Sequence, residues 1–332
     1  MVSTRTALWF GALSLCLLAP SAPSRAQQAA HELRFATLAP EGSPWMRSLR
    51  RWDRALREET AGRVGLRIYP GGSQGQEPMV IDKMSAGQLD GAALTTTGLS
   101  QIVRPVLVLG LASVIGDYEA LDRVRRRMGP RFSHYFEREG YSLVGWGDVG
   151  RARLFSRERI ARPSDLRRAR VWAPRSDEVF SEFLATIGAR PRRLGVTEVY
   201  PALQTGMVDA VPASALAVVA LQWHTRLRFF TEDSAGVLIG ATVFRSERVA
   251  QLSEEDQATL MRTAHRLERR AQRLVRRADD EALVTLRRRL QSVDTSPYQD
   301  EWLRAGETTL GRLQGRVFPA ALVEAVVRAA TE

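Results

Sequence analysis

At 332 residues the chain is long enough for about two domains on the usual ~150-residue scale. Its 44% hydrophobic and 26% charged residues exclude wholesale disorder, a collagen-like rod and a coiled coil. A formal net charge of +11 raises nucleic acid as a partner, but Lys83 is the only lysine and the arginines are interleaved with acids along the whole chain, as in Arg266, Glu268, Arg269, Arg270, Asp279 and Asp280; a nucleic-acid binder gathers its cations with aromatics on one face, so no such partner is expected.

Residues 1–26 read as a cleaved secretory signal: Arg5, an apolar stretch from Ala7 to Ala19, then Pro20 and small residues ending in Ser24-Arg25-Ala26. The apolar stretch is too short for an anchor. The single cysteine, Cys16, lies inside it behind Leu15, where lipid attachment wants a small residue. The mature chain is then free of cysteine, without disulfides or multi-cysteine metal sites. It works in the periplasm, where ATP and reduced nicotinamide are scarce, which argues against kinases and dehydrogenases.

Leu33 to Leu38 alternates as a strand and runs into the loop Ala39-Pro40-Glu41-Gly42. Ser43 and Pro44 open a helix with a hydroxyl cap and a proline whose missing N–H is harmless there. Trp45, Leu49, Trp52 and Leu56 share one face of it, and Gly62 closes it. Val64 to Tyr69 is a second strand, Glu77 to Ala86 a helix and Gly91 to Thr95 a third strand. Such alternation predicts an α/β layer with a largely parallel sheet.

The pattern restarts with strands at Ser142 to Trp146 and Arg153 to Ser156. A turn at Pro163-Ser164-Asp165-Leu166 leads to a short strand, Arg170 to Trp172. Helices follow over Glu178 to Ile187 and Val196 to Leu203, ended by Gly188 and Gly206, then a strand at Val208 to Val211. From Ser253 to Ser296 there is neither glycine nor proline. One helix, or two end to end, would span roughly 40–60 Å at 1.5 Å per residue and run across both domains.

Catalytic machinery is not visible. His31, His134, His224 and His265 lack metal-ligand spacing, so no metal is expected. No nucleophile elbow, phosphate loop or dinucleotide fingerprint appears, so neither a cofactor nor enzymatic activity is expected.

Two segments carry a resemblance: Asp165-Leu166-Arg167-Arg168-Ala169-Arg170-Val171-Trp172, and Glu198-Val199-Tyr200-Pro201-Ala202-Leu203-Gln204-Thr205-Gly206-Met207-Val208-Asp209-Ala210. With Phe35 to Trp45, Ile68-Tyr69-Pro70-Gly71-Gly72 and Gly87-Gln88-Leu89-Asp90-Gly91, the chain resembles the DctP-type solute receptors of tripartite ATP-independent periplasmic (TRAP) transporters over about residues 31–290. The resemblance implies a two-lobed periplasmic-binding-protein architecture (type II-like), a ligand cleft and a long bridging helix. Lobe I is expected at 31–150 with 238–275 returning to it, and lobe II at 151–237 with helices of 276–332 packed on it. It also implies a small-molecule ligand and TRAP membrane permease subunits as partners, for a monomer that does not itself span the membrane.

This chain departs from that pattern in the cleft. Where such receptors carry a carboxylate-binding arginine in an "IRVP"-like strand, the aligned residue is Trp172; a second arginine position falls near Ala152, between Arg151 and Arg153; an assisting asparagine aligns with Ala213. The expected cleft is therefore apolar and aromatic, presenting Trp172, Ala213, Leu38, Trp45, Phe155 and Trp223. Thr95, Thr96, Thr97, Asp148, Arg151 and Gln222 are candidate polar orienters, and the reading is a receptor for an apolar or amphipathic ligand. Two alternatives stay open: an ordinary organic acid anchored by Arg151 or Arg153, and a secreted sensing subunit without a permease.

Overall fold

The structure is a computed structural model that describes residues 30–112 and 114–332. The segment read as a signal peptide, with Cys16, Arg5 and Arg25, lies outside the described residues.

The first half contains β1 (His31–Thr37), α1 (Pro44–Glu59), β2 (Val64–Tyr69), α2 (Glu77–Ser85), β3 (Gly91–Thr95), α3 (Thr96–Leu99), α4 (Tyr118–Arg138), β4 (Tyr141–Arg151) and β5 (Arg153–Ser156). It is followed by β6 (Trp172–Pro174), α5 (Glu178–Thr186), β7 (Arg192–Leu194), α6 (Val199–Thr205), β8 (Ala210–Ala213), α7 (Ala215–Ala220), β9 (Phe229–Thr231) and β10 (Val237–Arg245). The chain ends with α8 (Ser246–Val249), α9 (Glu254–Arg287), β11 (Gln291–Val293), α10 (Gln299–Leu313) and α11 (Ala320–Thr331).

Lobe I is built on a five-stranded sheet in the order β2-β1-β3-β10-β4. Strand β1 pairs parallel with β2 and β3, whereas β10 runs antiparallel to β3 and β4. The sheet is thus mixed rather than largely parallel, because β10 re-enters from the second lobe and arrives from the opposite end. Helix α1 forms as its cap and face dictate: the Ser43 hydroxyl accepts from the Met46 N–H at 3.3 Å, and Trp52 and Leu56 are buried. Trp52 meets Phe35 and Phe244 ring to ring and donates its indole N–H to the Thr263 hydroxyl, so it is a core residue.

Lobe II holds a four-stranded sheet, β11-β9-β5-β8, and the parallel pair β6-β7. The alternation of β5 separates two apolar clusters: Leu154 packs with α5 and α10, and Phe155 with α7, Trp172 and Trp223.

The chain crosses between lobes at β4–β5 and β9–β10. The crossings are bonded to each other, Ala152 N–H to Gly236 O at 2.9 Å and Ala235 N–H to Ala152 O at 2.8 Å. Helix α9 is the third link, 34 residues long or about 50 Å. Leu260 and Leu267 dock on lobe I, and Val275, Leu283 and Leu286 on lobe II. It stops at Arg287, short of Ser296, because the chain turns at buried Leu290 to add β11 beside β9.

The C-terminal helices divide between the lobes. Helix α10 packs on α5 in lobe II. The sequence reading groups 276–332 with lobe II, but α11 lies against α4: Leu322, Val323, Val326 and Ala329 complete the lobe I core with Leu121, Val124 and Phe132.

A candidate ligand-binding cleft

Between the lobes lies a cavity of about 1010 Å³, at the upper end of the ~300–1,000 Å³ typical of small-molecule sites. Lobe I contributes Leu38, Trp45, Thr95, Thr96, Thr97 and Ile239; lobe II contributes Arg153, Trp172, Ala213, Ser214 and Trp223. The wall is dominated by carbon, so an enclosed apolar group gains roughly 25 cal/mol per Å² removed from water.

Trp172 is fixed from two sides. Its indole N–H donates to Leu194 O at 2.9 Å, and its ring meets Trp223 edge to face with centroids 5.3 Å apart. Trp45, at the start of α1, donates its N–H to Asp148 O at 3.0 Å and packs against the lobe II cluster. These are apolar walls with no polar atom left over, since each of the two donors is already used.

Several expected ligand contacts are placed elsewhere. Phe155 does not border the cavity; it is fully buried and stacked on Phe230 at 6.1 Å. Arg151 is directed away, its guanidinium lying 4.9 Å from the Tyr118 ring centroid. Gln222 does not line the cavity and turns the end of α7 with φ of 60°. Asp148 and Thr95 border it with their polar groups engaged. Asp148 bonds Arg125 and Arg276, each at 2.6 Å, and Thr95 bonds Glu77 through its N–H at 2.6 Å and its hydroxyl at 2.8 Å.

Arg153 is different. Among the described residues it is the one cationic side chain bordering the cavity. It is 8% exposed, donates Nε–H to Glu232 O at 3.3 Å, and leaves Nη1 buried without a partner. Burial depresses its pKa, a sign of a charge poorly solvated by its surroundings. Acids bordering the cavity carry internal duties: burial pushes the Glu77 carboxyl up while Thr95 and Gly98 bond it, and burial likewise raises Glu268, which accepts from Gln272 at 3.0 Å. Among the described residues no group of histidine, cysteine or acids is arranged to hold a metal.

The hinge side is held by Asp279 on α9. Its carboxylate accepts from the Arg151 and Leu216 N–H groups, each at 2.9 Å, tying the end of β4 to the start of α7. Gly150 (φ 133°) makes this approach possible, since a Cβ there would lie 2.4 Å from Ser214 Cβ and 2.7 Å from Asp279 Oδ1. Arg276, one turn before Asp279, bonds Asp122 on α4 as well as Asp148. The opposite lip is closed by Gln76, whose Oε1 accepts from the Val196 N–H at 3.0 Å, and by the exposed Arg104–Glu178 pair.

Sequence reasoning missed the side of the cavity formed by α5 and α10. Phe180, Phe183, Trp302 and Leu303 border it, and no family-like motif marks them.

The family described as "Bacterial extracellular solute-binding protein, family 7" (DctP) matches residues 35–311. A solute-binding protein of Roseobacter denitrificans is 23% identical over 257 residues, covering 76% of this chain and 78% of that protein. An uncharacterized protein of Sinorhizobium fredii is 25% identical over 205 residues, and there the match spans 60% of this chain but only 38% of the relative. Among solved structures, an extracytoplasmic solute receptor of Bordetella pertussis that binds pyroglutamic acid superposes with a TM-score of 0.84 at 16% identity, covering 91% of this chain and 99% of that one. Among the described residues no helix is long and apolar enough to cross a membrane.

Proposed function

We propose, because this chain belongs to the bacterial extracellular solute-binding proteins of family 7 (DctP), that it closes its lobes on an apolar or amphipathic organic molecule and hands it to a TRAP-type membrane permease. It is a binding protein and not an enzyme. The observation that carries the ligand class is the cavity wall at Trp172 and Trp223. Where the resemblance places a carboxylate-gripping arginine, an indole stands with its N–H already donated. The Bordetella receptor's ligand is a compact acid; the site here favours a ligand with more carbon surface.

A polar head group still has a place. Arg153 borders the cavity and its Nη1 is buried without a partner; a small turn of the guanidinium would offer it to an acceptor on the ligand. An amphipathic monoacid fits both features: a head at Arg153 and a hydrocarbon body against the indoles. The side-on fork through Nε and an Nη is closed to a small polyhydroxylated acid, because Nε is already bonded to Glu232 O, and the carbon-dominated wall offers its hydroxyls few partners.

Native mass spectrometry of the purified protein, followed by tryptophan-fluorescence titration, tests this reading. Retention of an apolar acid, with no response to C4-dicarboxylates or sugar acids, is the expected result. Tight binding of glucuronate or succinate, without response to apolar acids, overturns it. Genes for permease subunits beside this one are expected; their absence would favour a free-standing sensing subunit.

A further inference from the structure

The cavity borders two aromatic groups that belong to different sides of lobe II. Trp172 and Trp223 sit in the cluster on the Phe155 side of β5, whereas Phe180, Phe183 and Trp302 pack on the Leu154 side. The second group is a stack: Phe180 and Phe183 on α5 lie 6.0 Å apart with planes at 11°, and Phe183 and Trp302 lie 6.0 Å apart at 6°. Trp302 is held in place by donating its N–H to Ala161 O at 3.0 Å. All three rings are only half-buried, although they lie in the same continuous cavity as Trp172.

We infer that the cleft has a second compartment along α5 and α10, and that it takes the elongated hydrocarbon tail of the ligand whose body lies against Trp172. This inference rests on the apolar-ligand reading above and adds to it that the ligand is long. Continuity of the two aromatic regions and a cavity of about 1010 Å³ are what a compact ring acid leaves unexplained. The occupant is a straight acyl chain on a monocarboxylate. A chain can pass between the two ring groups, and it covers the exposed side of the stack by apolar contact alone.

Affinities for hexanoate, decanoate and tetradecanoate, measured by calorimetry, test it. Each added methylene that enters the compartment is worth ~0.8 kcal/mol, or about fourfold in affinity at 1.4 kcal/mol per tenfold. Wild type is expected to tighten at about that rate with chain length. Phe183→Ala should flatten the series, weakening tetradecanoate far more than hexanoate. A second variant, Gly306→Leu, fills the compartment from α10 without opening a cavity in the core, and should abolish the gain for tetradecanoate. Equal affinity for all three acids in wild type, or a length gain retained in both variants, overturns the second compartment while leaving the apolar cleft standing. Failure of every acid to bind, hexanoate included, removes the underlying reading and this inference with it.

Discussion

The indole of Trp172 meets that of Trp223 edge to face, with planes at 77°, while its N–H is donated to the Leu194 carbonyl on the neighbouring strand. That geometry makes Trp172 both a wall of the cavity and a strut between β6 and β7. The two roles separate on substitution. Trp172→Phe keeps an aromatic face and loses one hydrogen bond, a cost of about 1 kcal/mol. Trp172→Ala removes the wall and costs about 3–5 kcal/mol. Urea unfolding checks the stabilities. Fluorescence titration should show the Phe variant within about tenfold of wild type for apolar acids, with no measurable binding by the Ala variant.

Arg153 is buried with an unpartnered Nη1, so its charge is a liability unless a ligand acceptor meets it. Arg153→Leu should therefore leave stability nearly unchanged, because the removed group is incompletely bonded. The same change should erase the preference for an acid over the matching alcohol. Hydrogen bonds to charged groups are worth about 1.5–3 kcal/mol, so decanoate is expected to lose roughly tenfold to a hundredfold in affinity, with decanol unaffected. Equal losses for both would place Arg153 in the fold and not in recognition.

Much of the architecture is legible in the sequence because local signals agree there. Ser43-Pro44 starts α1, Gly206 in the left-handed region (φ 75°) ends α6, and Ser253 caps α9 by accepting from the Asp256 N–H at 3.2 Å. Helix α4 is harder to read because Gly129-Pro130 breaks its pattern, yet it runs through Pro130 on a continuous buried face of Leu121, Val124, Met128 and Phe132. The cleft is legible only where it coincides with aligned strands, as at Trp172 and Ala213. Phe155 and Arg151 sit beside those positions, but strand alternation and the bulge opposite Leu238/Ile239 turn them away. Phe180, Phe183 and Trp302 come from elements more than a hundred residues apart, and an amphipathic helix face looks the same whether it meets a core or a ligand.

The Asp122–Arg276 pair predicts how the bridge between lobes responds to acid. Burial is the largest single influence and would raise the Asp122 carboxyl; the bond and charge of Arg276, joined by the charges of Arg125 and Arg126, together outweigh it and hold the group below its ordinary value of 3.8. A carboxylate with a depressed folded-state pKa contributes stability above its unfolded value, and that contribution is lost as pH falls through the folded one. Asp122→Asn should therefore be less stable at pH 7, by about 1–2 kcal/mol after allowance for the solvent that reaches the pair. Its stability should fall less than that of wild type between pH 5 and pH 2. Urea midpoints across that range check the sign, and parallel curves for the two proteins would show that the pair does not control the acid limb.

The two contacts at the closing lip are expected to contribute unequally, although both link the lobes. Gln76 accepts from the Val196 backbone N–H at 3.0 Å in a half-buried position. Gly195 lies so close that a Cβ there would fall 2.4 Å from Gln76 Cδ, which holds the amide in register. Nε2 of Gln76 also donates to the Thr197 hydroxyl. Each such bond is worth about 1 kcal/mol, and both exist only when the lobes are together, so their loss shifts the population toward the open form. Gln76→Ala should speed ligand release about fivefold to thirtyfold in stopped-flow fluorescence without moving the unfolding midpoint. Arg104 and Glu178 are bonded at 3.1 Å through Nε, but their side chains are 51% and 42% exposed, and exposed pairs contribute about 0–1 kcal/mol. Glu178→Gln should change release less than about threefold at low salt. The difference should vanish near 1 M NaCl, where the Debye length is about 3 Å. A larger effect from Glu178 than from Gln76 would mean that long-range charge, and not the short bond at Val196, holds the cleft shut.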